Sequence, residues 1–192
     1  GFDRETLKKG GCALLACLLF AIVFYWIVAD AWSTVIYETD AVTASTALPW
    51  LNDGDVVEQV LTCRGDELRK VSFTPLVGDA AAEDLVQVSL CQEDVVLSTR
   101  DIPLTALTNA QTYQVSFENE ALAYDQTKPI TLRLVPRCAQ AGVFSVYYGS
   151  TTSVGKFEID LIDTAGLTVN GQSISGQLGC VLESVGYGSR TA

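Results

Sequence analysis

The chain has 192 residues, 48% of them hydrophobic, with 12 Lys/Arg against 23 Asp/Glu and a formal charge of −11. So acidic a surface repels nucleic acid and anionic lipid headgroups, which excludes nucleic-acid binding as a function. There is no His, and this removes the commonest general base, the usual metal ligand and the Ser/His and Cys/His nucleophile pairs.

The first element is apolar: from Gly10 to Ala29 no residue is charged. As a helix rising about 1.5 Å per residue, this run covers the ~30 Å hydrocarbon core of a bilayer. A secretory signal has a shorter apolar region, about 7–15 residues, before its cleavage site. Ala29-Asp30-Ala31 has the form of such a site, but the run ahead of it extends through Phe24, Tyr25, Trp26, Ile27 and Val28 and is too long. Tyr25, Trp26 and Trp32 collect at its far end, where amphipathic aromatics favour the headgroup level. Residues 10–32 therefore read as a transmembrane helix whose partner is the lipid bilayer. Leu14-Leu15-Ala16-Cys17 has the form of a bacterial lipobox, but about a dozen apolar residues follow it, so Cys12 and Cys17 read as small apolar helix residues.

Arg4, Lys8 and Lys9 precede the helix, whereas Asp30, Glu38 and Asp40 follow it. Excess Lys/Arg marks the cytoplasmic side. The expectation is a cytoplasmic tail over residues 1–9, location in the cell membrane, and a main domain that is extracellular or periplasmic. Residues 33–48, rich in Thr, Ala, Ser and acids, read as a connector.

From residue 49 to 192 the texture is that of a β domain. Candidate strands cover 56–63, 68–76, 85–91, 95–99, 112–118, 130–135, 143–148, 157–162 and 178–184, separated by turn signals. Several alternate with period two: Val86, Val88 and Leu90 oppose Leu85, Gln87 and Ser89, and Phe157, Ile159 and Leu161 oppose Glu158 and Asp160. That alternation marks a sheet with one buried face. Asn170-Gly171, between "LTV" and "QSIS", is a strong hairpin signal, because a type I′ turn needs positive φ at both central residues. About nine strands spaced roughly ten residues apart, with no amphipathic helix, predict an antiparallel β-sandwich, jelly-roll-like, behind one N-terminal transmembrane helix.

Cys63, Cys91, Cys138 and Cys180 all fall at or near predicted strand ends. An even number in an exported β domain suggests two disulfides, with three connectivities open. The preferred expectation joins Cys63 to Cys180, as first and last strands, and Cys91 to Cys138. A four-cysteine zinc site would need close paired spacings that are absent.

No metal site, no cofactor site and no catalytic residue is read from the chain. It has no phosphate-cradling glycine loop after a strand and no G-x-S-x-G. Glu118 and Glu120 have the spacing of two carboxylates on one strand face, as in a glycosidase, but solvated acids at period two are expected on an acidic surface. Asn52-Asp53-Gly54-Asp55 carries oxygen ligands for calcium but reads as the turn that starts the first strand. Arg64-Gly65-Asp66 spells the tripeptide that integrins bind and reads as a glycine-centred turn. Sugar binding would use aromatic platforms, for which Tyr113, Tyr124, Tyr147, Tyr148 and Tyr187 are the candidates, with core or edge packing as their ordinary role.

The stretch "LPWLNDGDVVEQVLTCRGDELRKVSFTP" resembles the opening of a β-sandwich found in bacterial polytopic envelope proteins. It runs turn-Gly, apolar pair, Gln, apolar, a few polar residues, then Leu-x-x-apolar-x-Phe. "LVQVSLCQEDVVLSTRDIPLTALTNAQTYQVSFE", "KPITLRLVP" and "GLTVNGQSISGQLGCVLES" follow the same scheme, so the resemblance covers about residues 49–185. It implies a domain between the first transmembrane helix and several more, in proteins of cell-surface polysaccharide assembly that resemble membrane glycosyltransferases. The absence of Met and the polar end "SVGYGSRTA" agree with excision from such a longer protein.

The expected function is a non-catalytic accessory or recognition domain of a membrane protein that assembles envelope polysaccharide. Its expected partners are cell-surface glycan or further membrane segments of the same protein. The alternatives are a single-pass adhesion or carbohydrate-binding module, and a pilin-like structural subunit suggested by Gly1-Phe2 and Glu5 ahead of an apolar helix.

Overall fold

In the computed structural model the described residues are 4–31, 34–39, 42–117, 120, 122–149 and 166–187. The chain divides into two compact units, one holding residues 1–35 and 186–192, the other Ile36–Val185.

The first unit contains α1 (Arg4–Ala31). Arg4, Glu5, Lys8 and Lys9 lie in its first turns, and no charged side chain interrupts Gly10–Ile27, whose mean hydropathy is 2.3. Every side chain of that stretch is exposed, and Phe20 stacks on Phe24 one turn later with ring centroids 6.2 Å apart. A helix apolar on all sides has no polar face to offer water. Among the described residues this is the one helix long and apolar enough to cross a membrane.

The second unit is built of antiparallel strands. One sheet runs in the order β13 (Gln172–Ser173), β12 (Leu167–Val169), β3 (Val57–Leu61), β10 (Ile130–Arg137), β6 (Leu85–Gln92), β7 (Val95–Pro103). A second has the order β1 (Thr34–Glu38), β15 (Cys180–Tyr187), β4 (Glu67–Phe73), β8 (Tyr113–Ser116), with β9 (Leu122–Ala123) also on β4. A smaller sheet sets β11 (Phe144–Gly149) between β14 (Gln177–Leu178) and β2 (Thr46–Ala47), with β5 (Pro75–Val77) pairing elsewhere on β11. The chain passes repeatedly from sheet to sheet: β3 and β4 separate, β6 and β7 return as a hairpin beside β10, and β8 goes back to β4.

Period-two burial builds the core. Val57, Gln59 and Leu61 of β3 point in, as do Ile130, Leu132 and Leu134 of β10 and Val86, Val88 and Leu90 of β6. Leu68, Val71 and Phe73 of β4, Leu182 of β15 and Phe144 and Val146 of β11 join the same cluster, so the sheets share one core in a sandwich-like arrangement. Leu68 and Val71 both point inward although three residues apart. The β4–β15 register shifts there, from Lys70↔Glu183 to Leu68↔Ser184, and the extra residue is a β-bulge.

The anticipated alternation holds over 85–88 but ends at Ser89, which is buried with Val88, Leu90 and Cys91. Eight of the nine candidate segments contain strand; 157–162 lies outside the described residues. The expected connector at 33–48 needs correction, since it includes β1 and β2. Thr34-Val35-Ile36-Tyr37 is a β-branched and aromatic run whose groups find partners on β15, and Thr46 pairs with Tyr148.

Candidate functional site

The site grows out of a tight turn. Asn170 and Gly171 have φ of 51° and 79°, the positive pair of a type I′ hairpin, and Val169 pairs with Gln172 across it. The turn is tied to the start of β3: the Asn170 backbone N–H donates to Val56 O at 2.8 Å, and the Val56 N–H donates to Asn170 Oδ1 at 2.8 Å. Asn170 Nδ2 donates to Asp55 Oδ1 at 2.9 Å, while Asp55 Oδ2 accepts the Asn52 N–H at 2.7 Å. These bonds, the Asn52 N–H first, hold the Asp55 carboxyl below its ordinary pKa, so it is ionised at neutral pH.

Across from the hairpin runs Leu48-Pro49-Trp50-Leu51. Leu48 and Leu51 are each 3% exposed, and their N–H groups donate to Val146 O and Phe144 O at 2.9 and 3.0 Å. With both neighbours anchored in the core, Trp50 is turned outward and is 45% exposed. Between the two segments lies an open cavity of about 240 Å³ lined by Trp50, Asp55, Asn170 and Gln172, with Leu48 and Ile174 among its apolar contributors. An aromatic surface beside convergent hydrogen-bonding groups is the usual make-up of a small-ligand site.

None of the five tyrosines lines this cavity. Tyr113 packs at 6.2 Å on Phe73, and Tyr148 packs on the core, its ring lying over Gly176, where an added Cβ would meet it at 2.9 Å. Tyr147 is half-buried on the opposite face of β11 from Tyr148. Tyr124 is half-buried and donates from its hydroxyl to Gly65 O at 2.7 Å. Its pKa is raised, by burial first and then by the Cys63 thiol beside it. Tyr187 is 55% exposed at the end of β15, in the first unit. Trp50, which does line the cavity, is absent from the sequence-based candidates; its signal was an indole next to Pro49, just ahead of the turn "NDGD".

The expected disulfides are corrected: all six cysteines are free. Cys91 pairs with Thr131 on β10, whereas Cys138 lies beyond the far end of that strand. Seven residues at about 3.3 Å place Cys138 some ~23 Å further on, against the roughly 4.4–6.8 Å between Cα atoms that a bridge allows. Cys180 sits opposite Phe73, whereas the segment after Cys63 meets the other end of β15, at Ser184 and Val185. Burial raises the thiol pKa of Cys91, of Cys138 to about 11 and of Cys180 to about 12. Cys138 and Cys180 are therefore expected to resist iodoacetamide at pH 8 in the folded protein, and all six thiols to react after unfolding without reductant. Mass spectrometry of the labelled chain checks this; two domain cysteines that stay unlabelled in denaturant would restore a bridge.

The acidic motifs have local partners. Asp53 Oδ1 accepts the Cys138 N–H at 3.1 Å, and with Asp55 it braces the turn that opens β3, as its sequence suggests. Among the described residues no three His, Cys, Asp or Glu side chains gather as metal ligands. Glu118 lies outside the described residues. Glu120 is ion-paired with Arg100 and accepts from the Ser98 hydroxyl, and these contacts, Ser98 first, lower its pKa. Arg100 in turn lies 5.3 Å from the centroid of the buried Phe117 ring, so the pair closes the edge of the core.

Gly65 of the Arg64-Gly65-Asp66 tripeptide is buried, not presented at a loop tip. Its N–H donates to Ser184 Oγ at 3.0 Å and its carbonyl accepts from Tyr124. A Cβ there would lie 2.5 Å from Ser184 Oγ and 2.8 Å from the Val185 backbone nitrogen. Gly65→Ala is expected to lower stability by about 1–3 kcal/mol in urea unfolding, the range for forced overpacking. An unchanged midpoint would show that β15 yields at no cost.

No protein-family model and no curated protein matches the chain.

Proposed function

We propose that the β unit is a non-catalytic recognition domain held at the outer face of a cell membrane by residues 10–32, and that it serves envelope polysaccharide assembly by binding glycan. The observation that carries this reading is the half-exposed Trp50 beside the carboxylate of Asp55 and the amide of Gln172 in an open cavity. An indole left at the surface loses apolar burial, and its placement among oriented polar groups suits a ligand with one apolar and one hydroxylated side. The uncharged helix supplies the anchor. The basic flank Arg4, Lys8 and Lys9 supports an N-terminus inside and a domain outside, and an acidic domain keeps clear of anionic headgroups. The strand-pattern resemblance to polysaccharide-assembly proteins supports the same setting.

Protease added outside intact cells is expected to remove everything beyond about residue 30, leaving a membrane-bound stub. Full protection of the β unit in sealed cells would reverse the orientation. Glycan binding is tested with the full chain in lipid nanodiscs against a panel of envelope polysaccharides; failure to retain any of them would remove the recognition role.

A further inference from the structure

We infer that the Trp50 cavity receives a single uncharged pyranose unit and discriminates against uronate-, sulfate- or phosphate-bearing sugars. This rests on the recognition reading above and specifies what is recognised.

Size sets the first limit. About 240 Å³ lies below the usual ~300–1,000 Å³ of drug-sized pockets, so the cavity has room for one ring or a chain end, with the rest of a polymer left in solvent. Shape and surface set the second. One wall is the exposed indole of Trp50, fixed from both sides by the buried Leu48 and Leu51. The electron-rich face of an indole attracts the weakly positive C–H edge of a pyranose, and a saturated ring with its hydroxyls at the rim can lie flat on it.

The polar groups set the third limit, and they are asymmetric. Asn170 is held in the turn, with Oδ1 on the Val56 N–H and Nδ2 on Asp55, which leaves one amide N–H and one lone pair. Asp55 is ionised, and each of its oxygens already accepts one hydrogen bond. The Asn52 side chain also hydrogen-bonds this carboxylate, and of the roughly four acceptor sites on its two oxygens one remains for a ligand hydroxyl. Gln172 is exposed and its side chain makes no hydrogen bond among the described residues, so its amide offers both a donor and an acceptor. A carboxylate facing a spare amide reads a vicinal diol. It gives an anion no cationic partner and sets an ionised carboxylate beside it. Among the described residues no Lys or Arg lines the cavity. Arg137, an exposed residue whose guanidinium would lie 3.5 Å from a Cβ on Gly54, does not line the cavity. The net charge of −11 adds to the repulsion at a distance.

The test uses the full chain in nanodiscs of neutral lipid, titrated with glucose, galactose and N-acetylglucosamine oligosaccharides and, separately, with galacturonate oligosaccharides. Neutral ligands are expected to bind at least about tenfold more tightly than galacturonate at low salt, a difference near 1.4 kcal/mol. The gap should narrow at high salt and in Asp55→Asn. Trp50→Ala and Gln172→Ala, both at exposed positions, should each weaken neutral binding several-fold while leaving the unfolding midpoint in place. Equal or tighter galacturonate binding that is lost in Trp50→Ala would overturn this inference and leave the recognition role standing. Neutral binding indifferent to both Trp50→Ala and Gln172→Ala would also overturn it, by moving recognition elsewhere on the domain. If neither ligand class binds, both readings fall together.

Discussion

Between pH 9 and pH 12 the β unit is expected to lose stability steeply, at roughly 1.4 kcal/mol per pH unit from Cys180 alone. Cys180 is 2% exposed, and its surroundings offer the thiolate no compensating charge; burial lifts its pKa to about 12 from the ordinary 9.0. Below pH 9 the thiol is protonated in both folded and unfolded chains, so it makes no pH-dependent contribution. Above pH 9 the unfolded chain releases this proton and the folded one keeps it, which favours unfolding until the folded pKa is reached. Cys138, raised to about 11 by burial and by the carboxylates of Asp84 and Asp53, acts in the same direction, and so does Tyr124. Urea unfolding at a series of pH values measures the slope, and Cys180→Ala isolates the thiol. The variant should start less stable and then lose stability more slowly than the parent as the pH rises. Parallel curves for the two proteins would show that the thiolate is solvated in place. The free thiols also change what holds the domain together: without bridges, its stability rests on the shared core and on the ties between sheets.

Much of this architecture could be read from the residues because strands with one buried face write their period directly into the sequence. Val86, Val88 and Leu90 are buried completely while Leu85 and Gln87 are not, although Ser89 of the same outer face is covered, its hydroxyl bonded to Thr99 of β7. Asn170-Gly171 marked its hairpin because few residue pairs tolerate positive φ twice in succession. Other features depend on long-range pairing. The strands at 34–38 and 46–47 are short, and they exist because β15 and β11 offer them open edges. Cysteine pairing failed for a related reason: position along a strand decides which thiols can meet, and β10 separates Cys91 from Cys138 by its full length. The cavity was hidden because its walls are more than a hundred residues apart, Trp50 and Asp55 on one side and Asn170 and Gln172 on the other. The tyrosines drew attention by type, yet a Tyr on a strand of a sandwich is more readily used in packing, as Tyr113 and Tyr148 are.

Replacing Gln59 is expected to expose how closely the sheets are tied, and two substitutions separate the causes. Gln59 points into the core from β3 and is fully buried, at a position where period two calls for an apolar residue. Its Oε1 accepts the Leu178 N–H of β14, in a different sheet, at 2.8 Å, and its Nε2 donates to Val60 O at 3.0 Å. In Gln59→Leu the volume is nearly kept, but the buried Leu178 N–H is left without this acceptor, which costs about 1–3 kcal/mol. In Gln59→Glu the acceptor returns at the expense of a carboxylate in an apolar interior. Desolvation would raise the pKa of that carboxyl, so it is protonated in the folded state well above the pH at which it ionises in the unfolded chain. Its contribution is then fully present below about pH 4 and lost as pH rises through the raised value, so the variant should be close to the parent in acid and lose several kcal/mol by neutral pH. Denaturant unfolding of the parent and both variants at pH 4 and pH 7, each compared with the parent at the same pH, reads the difference. A Leu variant as stable as the parent would mean that the Leu178 N–H finds another acceptor. A Glu variant without pH dependence would mean that water reaches this position.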